Sequence, residues 1–283
     1  MTTSTASKTS ATLGGRQPSE QAIDAAIDSA TRLLRLPTFR DRYAEIADAA
    51  AREQLSYRAF LSELLLAECD DREVRRAARR VHEAAFPRPK TLADFDFAAN
   101  PAINPATINT LANCGWVSKS QSLCLIGDSG TGKSHLLIAL GTAAAEAGHR
   151  VRYVLAAKLV NELVEAANER QLSRTIARYG RVELLCLDEL GYMELDKRGA
   201  ELLFQVLTER EEKTAIAIAS NDSFSGWTKT FTDPRLCAAI VDRLTFGGNI
   251  IETGTSSYRL AHARNQRKPG GATSSRHPGA KSS

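Results

Sequence analysis

The sequence predicts an α/β fold, a parallel sheet with helices on both faces, preceded by a small all-helical N-terminal domain. Three observations carry this prediction. From about residue 120, short apolar runs at 123–126, 151–155, 184–187, 215–219 and 250–252 alternate with helical patterns near 133–147, 158–169, 198–212 and 234–244. That alternation is what parallel strands joined by crossover helices produce. Residues 19–86 are instead rich in Ala, Leu, Arg and Glu, with few glycines and no β-rich run. Between the two textures, Pro87-Arg88-Pro89 breaks the helical pattern.

Taken in order, residues 1–18 are Ser/Thr-rich and read as a disordered lead-in without the apolar stretch of a signal peptide. In the helical domain, 19–90, Pro37 separates at least two helices, and Ser56 lies near a plausible helix start. Phe60, Leu61, Leu64 and Leu65 have helical spacing, as a small bundle requires. Residues 91–119, punctuated by Pro101 and Pro105, form a linker leading into the sheet. The sheet domain spans 120–261, and 262–283 is a Gly/Pro/Ser-rich tail. The chain contains no internal repeat.

Composition narrows the class. A hydrophobic fraction of 43% with 25% charged residues is that of a globular protein in water. No apolar run reaches the roughly 18 residues that a membrane span needs. Five scattered cysteines, Cys69, Cys114, Cys124, Cys186 and Cys237, form no CxxC pair. This speaks against a disulfide framework or a zinc site and for a reducing cytoplasm. The net charge of +4 is unevenly placed: without the five basic residues from His262 onward, 32 basic residues face 33 acidic ones. The tail is either a disordered, solubilising segment or a loose arm drawn to nucleic-acid phosphates.

The strongest chemical signal lies between the first strand and the first helix of the sheet domain. Gly127-Asp128-Ser129-Gly130-Thr131-Gly132-Lys133-Ser134 is GxxxxGK[ST] in the strand–loop–helix setting that a phosphate-binding loop requires. Glycines let the backbone wrap so that N–H groups point at phosphate oxygens, and the helix N-terminus adds partial positive charge. Lys133 is expected to reach the β and γ phosphates of ATP, and the Ser134 hydroxyl to ligate Mg2+. The apolar run 184–187 ends in Asp188-Glu189, which places Asp188 at the carboxyl edge of the sheet beside the loop. There Asp188 is suited to hold Mg2+ and Glu189 to orient and deprotonate an attacking water. The next strand ends in Ser220-Asn221, where an amide could hold that water or serve as an ordinary turn residue. A metabolic phosphotransferase would need an acceptor pocket and a lid that the helical N-terminal region does not supply. The absence of an NKxD motif argues against a GTPase.

A basic stretch offers a second function. Arg72, Arg75, Arg76, Arg79 and Arg80 recur at spacings of three and four, so several share one helix face. They form either a solvated face diluted by Glu73 and Glu83 or a set of phosphate contacts for double-stranded DNA that carry no sequence information.

Together with His135, these residues resemble a known family. Asp188-Glu189-Leu190-Gly191-Tyr192, Glu201-Leu202-Leu203-Phe204-Gln205, Ser220-Asn221, Trp227, Asp242-Arg243-Leu244 and Ser257-Tyr258-Arg259-Leu260 follow the phosphate loop in the pattern of the IstB/DnaC family of AAA+ ATPases. The resemblance is closest to IstB-type helpers of insertion-sequence transposition and spans roughly residues 19–260. It implies an AAA+ P-loop core in which Lys133, Ser134, Asp188, Glu189 and Asn221 act as argued above and His135 adjoins the nucleotide. It also implies that Arg243 is a finger entering a neighbouring subunit's site and that Arg259 touches the phosphates of its own subunit. Shared sites imply a homo-oligomer. The function so implied is an ATP-dependent, DNA-binding regulator that stimulates a transposase; the alternative is a DnaC-like loader of a replicative helicase. Two stretches depart from the family pattern: 246–249 lacks the usual histidine-containing text, and Glu211-Glu212 stands where an aromatic residue is usual.

Overall fold

A computed structural model of the chain describes residues 19–255 and 257–258; Arg259 and the C-terminal tail lie outside the described residues, as does the lead-in. By contacts the chain divides into two compact units, Met1–Arg75 and Arg76–Ser283.

The first unit is helical. Helix α1 (Glu20–Leu34) starts at Ser19, whose hydroxyl accepts from Ala22 N, and stops where Arg35 turns left-handed at φ 55°. Pro37 sits in the first turn of α2 (Pro37–Arg52), where its missing N–H costs nothing. Ser56 accepts from Ala59 N at the start of α3 (Tyr57–Glu83). Ile46, Ala50 and Leu64 are buried, and buried Glu68 accepts from Phe39 N (3.0 Å), Arg72 Nε (2.8 Å) and Arg75 Nη2 (3.4 Å).

The sequence draws the helical domain as far as residue 90, whereas compactness divides the chain within α3, at Arg75/Arg76. The reason lies in the contacts of the end of α3. Arg80 Nε donates to Ala145 O, Ala84 O accepts from Tyr153 N, and Phe86 packs beside Tyr153 with ring centroids 6.0 Å apart.

The second unit is a five-stranded parallel sheet of β1 (Ser122–Ile126), β2 (Val151–Leu155), β3 (Leu184–Leu190), β4 (Ala215–Ser220) and β5 (Asn249–Glu252), in the order β2-β3-β4-β1-β5. Alternate strand residues serve opposite faces. Leu123, Leu125, Cys186, Ala217 and Ala219 join the layer containing α6 (Lys133–Glu146), together with α4 (Pro105–Ala112) and α5 (Gly115–Ser118). Cys124, Ile126, Leu187, Ile216 and Ile218 join α7 (Ala156–Asn168), α9 (Lys197–Arg210) and α10 (Pro234–Thr245). Burial on both faces explains why β1, β4 and the first half of β3 read as unbroken apolar runs, whereas the edge strands β2 and β5 carry exposed residues such as Arg152 and Ile250.

Helix α8 (Leu172–Gly180) packs on α7 and α9 where the sequence suggested only a connection. Pro105, read as linker punctuation, begins α4 behind an Asn104 cap. No helix among the described residues is long and apolar enough to cross a membrane.

Candidate functional site

The strand order places β4 between β1 and β3, so the loops leaving these three strands gather at one edge of the sheet. Ser220 pairs with Ile126 on one side and Leu190 on the other. The phosphate loop, the acidic pair and Asn221 therefore emerge side by side.

The loop from Gly127 to Lys133 turns through Gly130 (φ 88°) and Gly132 (φ 98°), both left-handed. A side chain at Gly130 would collide with Ser257, and one at Gly132 would come within 2.7 Å of the Phe95 ring. Glycine is needed there for both reasons. Residues beyond β5 brace the loop: Asp128 N donates to Gly254 O (3.0 Å), and the Thr131 and Thr253 hydroxyls meet at 2.6 Å. Lys133 is buried with its Nζ donating to Asp128 O at 2.7 Å.

Asp188 is 3% exposed and fully engaged. Its Oδ1 accepts from Ser134 Oγ (3.1 Å) and Glu189 N (2.8 Å), and its Oδ2 from Tyr153 Oη (2.8 Å). Burial, and then the Asp188 charge, push the Tyr153 hydroxyl far above the ordinary tyrosine value, so it remains a donor to the carboxylate. A hydroxyl and a carboxylate at contact distance are the hard oxygen pair that Mg2+ takes, and a lysine with a glycine-turned loop suits a triphosphate. The donor set fits both.

Glu189 stands apart from Asp188. A bulge in β3 shifts its register on β4 between Leu187 and Leu190, and Glu189 adopts φ 61° within it. The bulge turns the Glu189 side chain into the open while Asp188 stays buried. Asn221 is half-buried, with no side-chain hydrogen bond among the described residues. Its neighbour Ser220 is occupied, accepting from Trp227 Nε1 at 2.8 Å and donating to Asp222 O at 2.8 Å.

Other residues singled out from the sequence make different contacts. His135 Nε2 lies 2.8 Å from Thr91 O, and its ring stands edge-on to Phe95, so the imidazole faces the linker. Arg243 donates to Glu211 Oε2 (2.5 Å) and lies over the Phe204 ring at 4.4 Å, with Nη1 buried and unbonded. Its contacts are thus with α9 and the turn after it, not with residues 127–134. Arg259 lies outside the described residues. Among the arginines from Arg72 to Arg80 on α3, Arg72 and Arg75 bind Glu68, Arg79 pairs with Glu83 at 3.7 Å and Arg80 holds Ala145 O. Arg75, Arg76 and Arg79 are exposed, and Arg72 and Arg80 half-buried.

Sequence reasoning passed over Tyr153 and Asn100. Tyr153 alternates correctly for a buried strand residue, and nothing local marks its hydroxyl as a partner of Asp188. Asn100, 6% exposed, donates through Nδ2 to both Thr131 O and Thr253 O at 2.9 Å.

The chain is similar to an ATP-binding protein named for insertion sequence IS21 of Pseudomonas aeruginosa, 36% identical over 219 residues, covering 77% of this chain and 83% of the relative. It is 33% identical over 233 residues to one named for IS5376 of Geobacillus stearothermophilus, covering 82% and 93%. In fold it is similar to AMPPCP-bound DnaA from Aquifex aeolicus, with TM-score 0.51 and 24% identity over 64% of this chain and 55% of that one. DnaI matches with TM-score 0.50 and 21% identity over 59% and 94%. The five-stranded parallel sheet with flanking helices is accordingly an AAA+ P-loop fold. The profile of the IstB-like ATP binding proteins matches residues 29–266, most of the chain and all of the site described above, and the chain belongs to that family.

Proposed function

We propose that this protein binds and hydrolyses ATP·Mg2+ while assembled on double-stranded DNA, and that it regulates DNA transposition by stimulating a partner transposase. The observation that carries the chemistry is the contact between Ser134 Oγ and Asp188 Oδ1, 54 positions apart in sequence, with Glu189 free-standing beside them. When bound, Mg2+ would neutralise charge on the β and γ phosphates. Ser134 and Asp188 would hold the ion, Lys133 would leave Asp128 O for the phosphates, and the loop's N–H groups would complete the cradle. Glu189 would take the proton of the attacking water, and Asn221 would position that water.

Arg243 would act from a neighbouring subunit, which requires it to leave Glu211 and Phe204 on assembly. Head-to-tail association follows from a site completed in trans. Exposed Arg75, Arg76 and Arg79 are the phosphate contacts on α3, supplying affinity without sequence preference. The insertion-sequence names of the relatives support a transposase as the partner.

The test is ATPase activity measured across protein concentrations, with and without DNA, alongside particle mass. Wild-type turnover per chain should rise with concentration and with DNA. Lys133→Ala should bind no ATP, Glu189→Gln should bind without turnover, and Arg243→Ala should bind without turnover at any concentration. Normal turnover by dilute, monomeric Arg243→Ala would end the shared-site reading.

A further inference from the structure

We propose that Asn100, in the linker outside the nucleotide motif, is a positioning residue that sets the phosphate loop for ATP. This rests on the reading of residues 127–134 as the triphosphate site. The Asn100 side chain is 6% exposed, and its hydrogen-bonding capacity is spent on three backbone groups. Nδ2 donates to Thr131 O and to Thr253 O, each at 2.9 Å, and Oδ1 accepts from Ala102 N at 3.3 Å. Thr131 lies in the loop, one residue before the left-handed Gly132; Thr253 follows β5, directly after the last residue paired to β1. One amide thus bolts the far turn of the loop to the sheet edge.

The same two residues are joined a second way, by the 2.6 Å contact of their hydroxyls, and Thr253 Oγ1 also donates to Ile126 O at 3.2 Å. The linker makes two further contacts with the loop's exit. Phe95 covers Gly132 and meets His135 edge-on, with ring centroids 5.2 Å apart, and Thr91 O holds His135 Nε2. The loop's carbonyl at Thr131 must point away from phosphate for its N–H groups to point toward it, and a donor behind the loop enforces that orientation. Leaving that carbonyl without a buried donor removes the constraint and costs the loop its single preorganised shape. A buried amide held on both sides does this at a distance from the phosphates, without touching the ligand.

The experiment is calorimetric titration of the full-length chain with ATP·Mg2+, with the melting temperature of the nucleotide-free chain recorded for each variant. Asn100→Ala is expected to raise Kd by about 10- to 100-fold through the loss of two buried hydrogen bonds. Asn100→Ser, which keeps one donor, should fall between; if Asn100→Ala does not fold, Asn100→Ser carries the test. Thr253→Val removes the parallel hydroxyl tie while keeping side-chain volume. If both ties act on the same loop, the double variant should raise Kd by less than the product of the single effects.

A Kd within about twofold of wild type in folded Asn100→Ala or Asn100→Ser, with only the melting temperature lowered, would overturn the proposal. So would strictly multiplicative effects with Thr253→Val. Failure of the underlying reading looks different: wild type itself would then bind no ATP, or Lys133→Ala would bind it as well as wild type.

Discussion

Glu189 occupies backbone that its side chain disfavours, so replacing it with glycine should stabilise the chain while ending its proposed hydrolysis. At φ 61° the residue is left-handed, a conformation that costs an L-residue with a Cβ roughly 1–2 kcal/mol. Glycine has no such penalty but loses more chain entropy on folding, about 0.5–1 kcal/mol. The difference favours Glu189→Gly by about 0.5–1 kcal/mol. The exposed carboxylate makes no hydrogen bond or ion pair among the described residues, so its loss subtracts little. The backbone N–H to Asp188 Oδ1, at 2.8 Å, is retained. For a unit of this size the gain corresponds to a rise in Tm of about 1–4 °C. Differential scanning calorimetry of the nucleotide-free chain measures it, with Glu189→Gln, which keeps the Cβ, as the reference that should not move. A Tm for Glu189→Gly at or below that of Glu189→Gln would show that the bulge is not strained and that the argument is wrong. Such a gain on removing a site residue is the pattern of strain held at functional positions.

Two further expectations concern stability. Arg210, 2% exposed, donates to Tyr179 O (2.5 Å), Val182 O (3.1 Å) and Ala215 O, which ties the end of α8 to the start of β4; burial draws its pKa down to about 10. Arg210→Met should cost about 3 kcal/mol by leaving those carbonyls unpaired, read as a lower urea midpoint; an unchanged midpoint would mean that the carbonyls find water. In the helical unit, Glu68→Ala removes the shared acceptor of Phe39 N, Arg72 and Arg75 and should cost about 1–3 kcal/mol. Hydrogen exchange should then quicken across α1, α2 and the first part of α3 and leave the strands unchanged; faster exchange throughout the sheet would contradict the separation into two units.

Much of this protein is local, and that part was legible in the sequence. The central strands β1 and β4 and the start of β3 announced themselves because a doubly covered parallel strand must be apolar on both faces. The glycine-rich stretch 127–134 was legible because its glycines, lysine and serine fall within eight consecutive residues, although Asn100 and Thr253 brace it from far away in sequence. Asp188 stood out as the first polar residue after the apolar run 184–187, although β3 continues past it to Leu190.

What only the tertiary structure decided depends on register and on partners distant in sequence. The bulge that separates Asp188 from Glu189 is set by the pairing of β3 with β4, and no residue of the run 184–190 signals it. The pairing of Tyr153 with Asp188 arises because β2 lies beside β3. An arginine's spacing says which helix face it occupies, not whether a buried Glu68 or the end of α6 has claimed it. Arg243 is the plainest case, since Glu211 and Phe204 meet it only once α9 and α10 have packed. Asn100 is the same kind of case: an amide in a proline-punctuated linker reads as a turn residue until the fold brings two carbonyls, 31 and 153 positions away, to its two donors. Short-range chemistry shapes the backbone where it stands, whereas long-range contacts exist only after the chain has closed on itself.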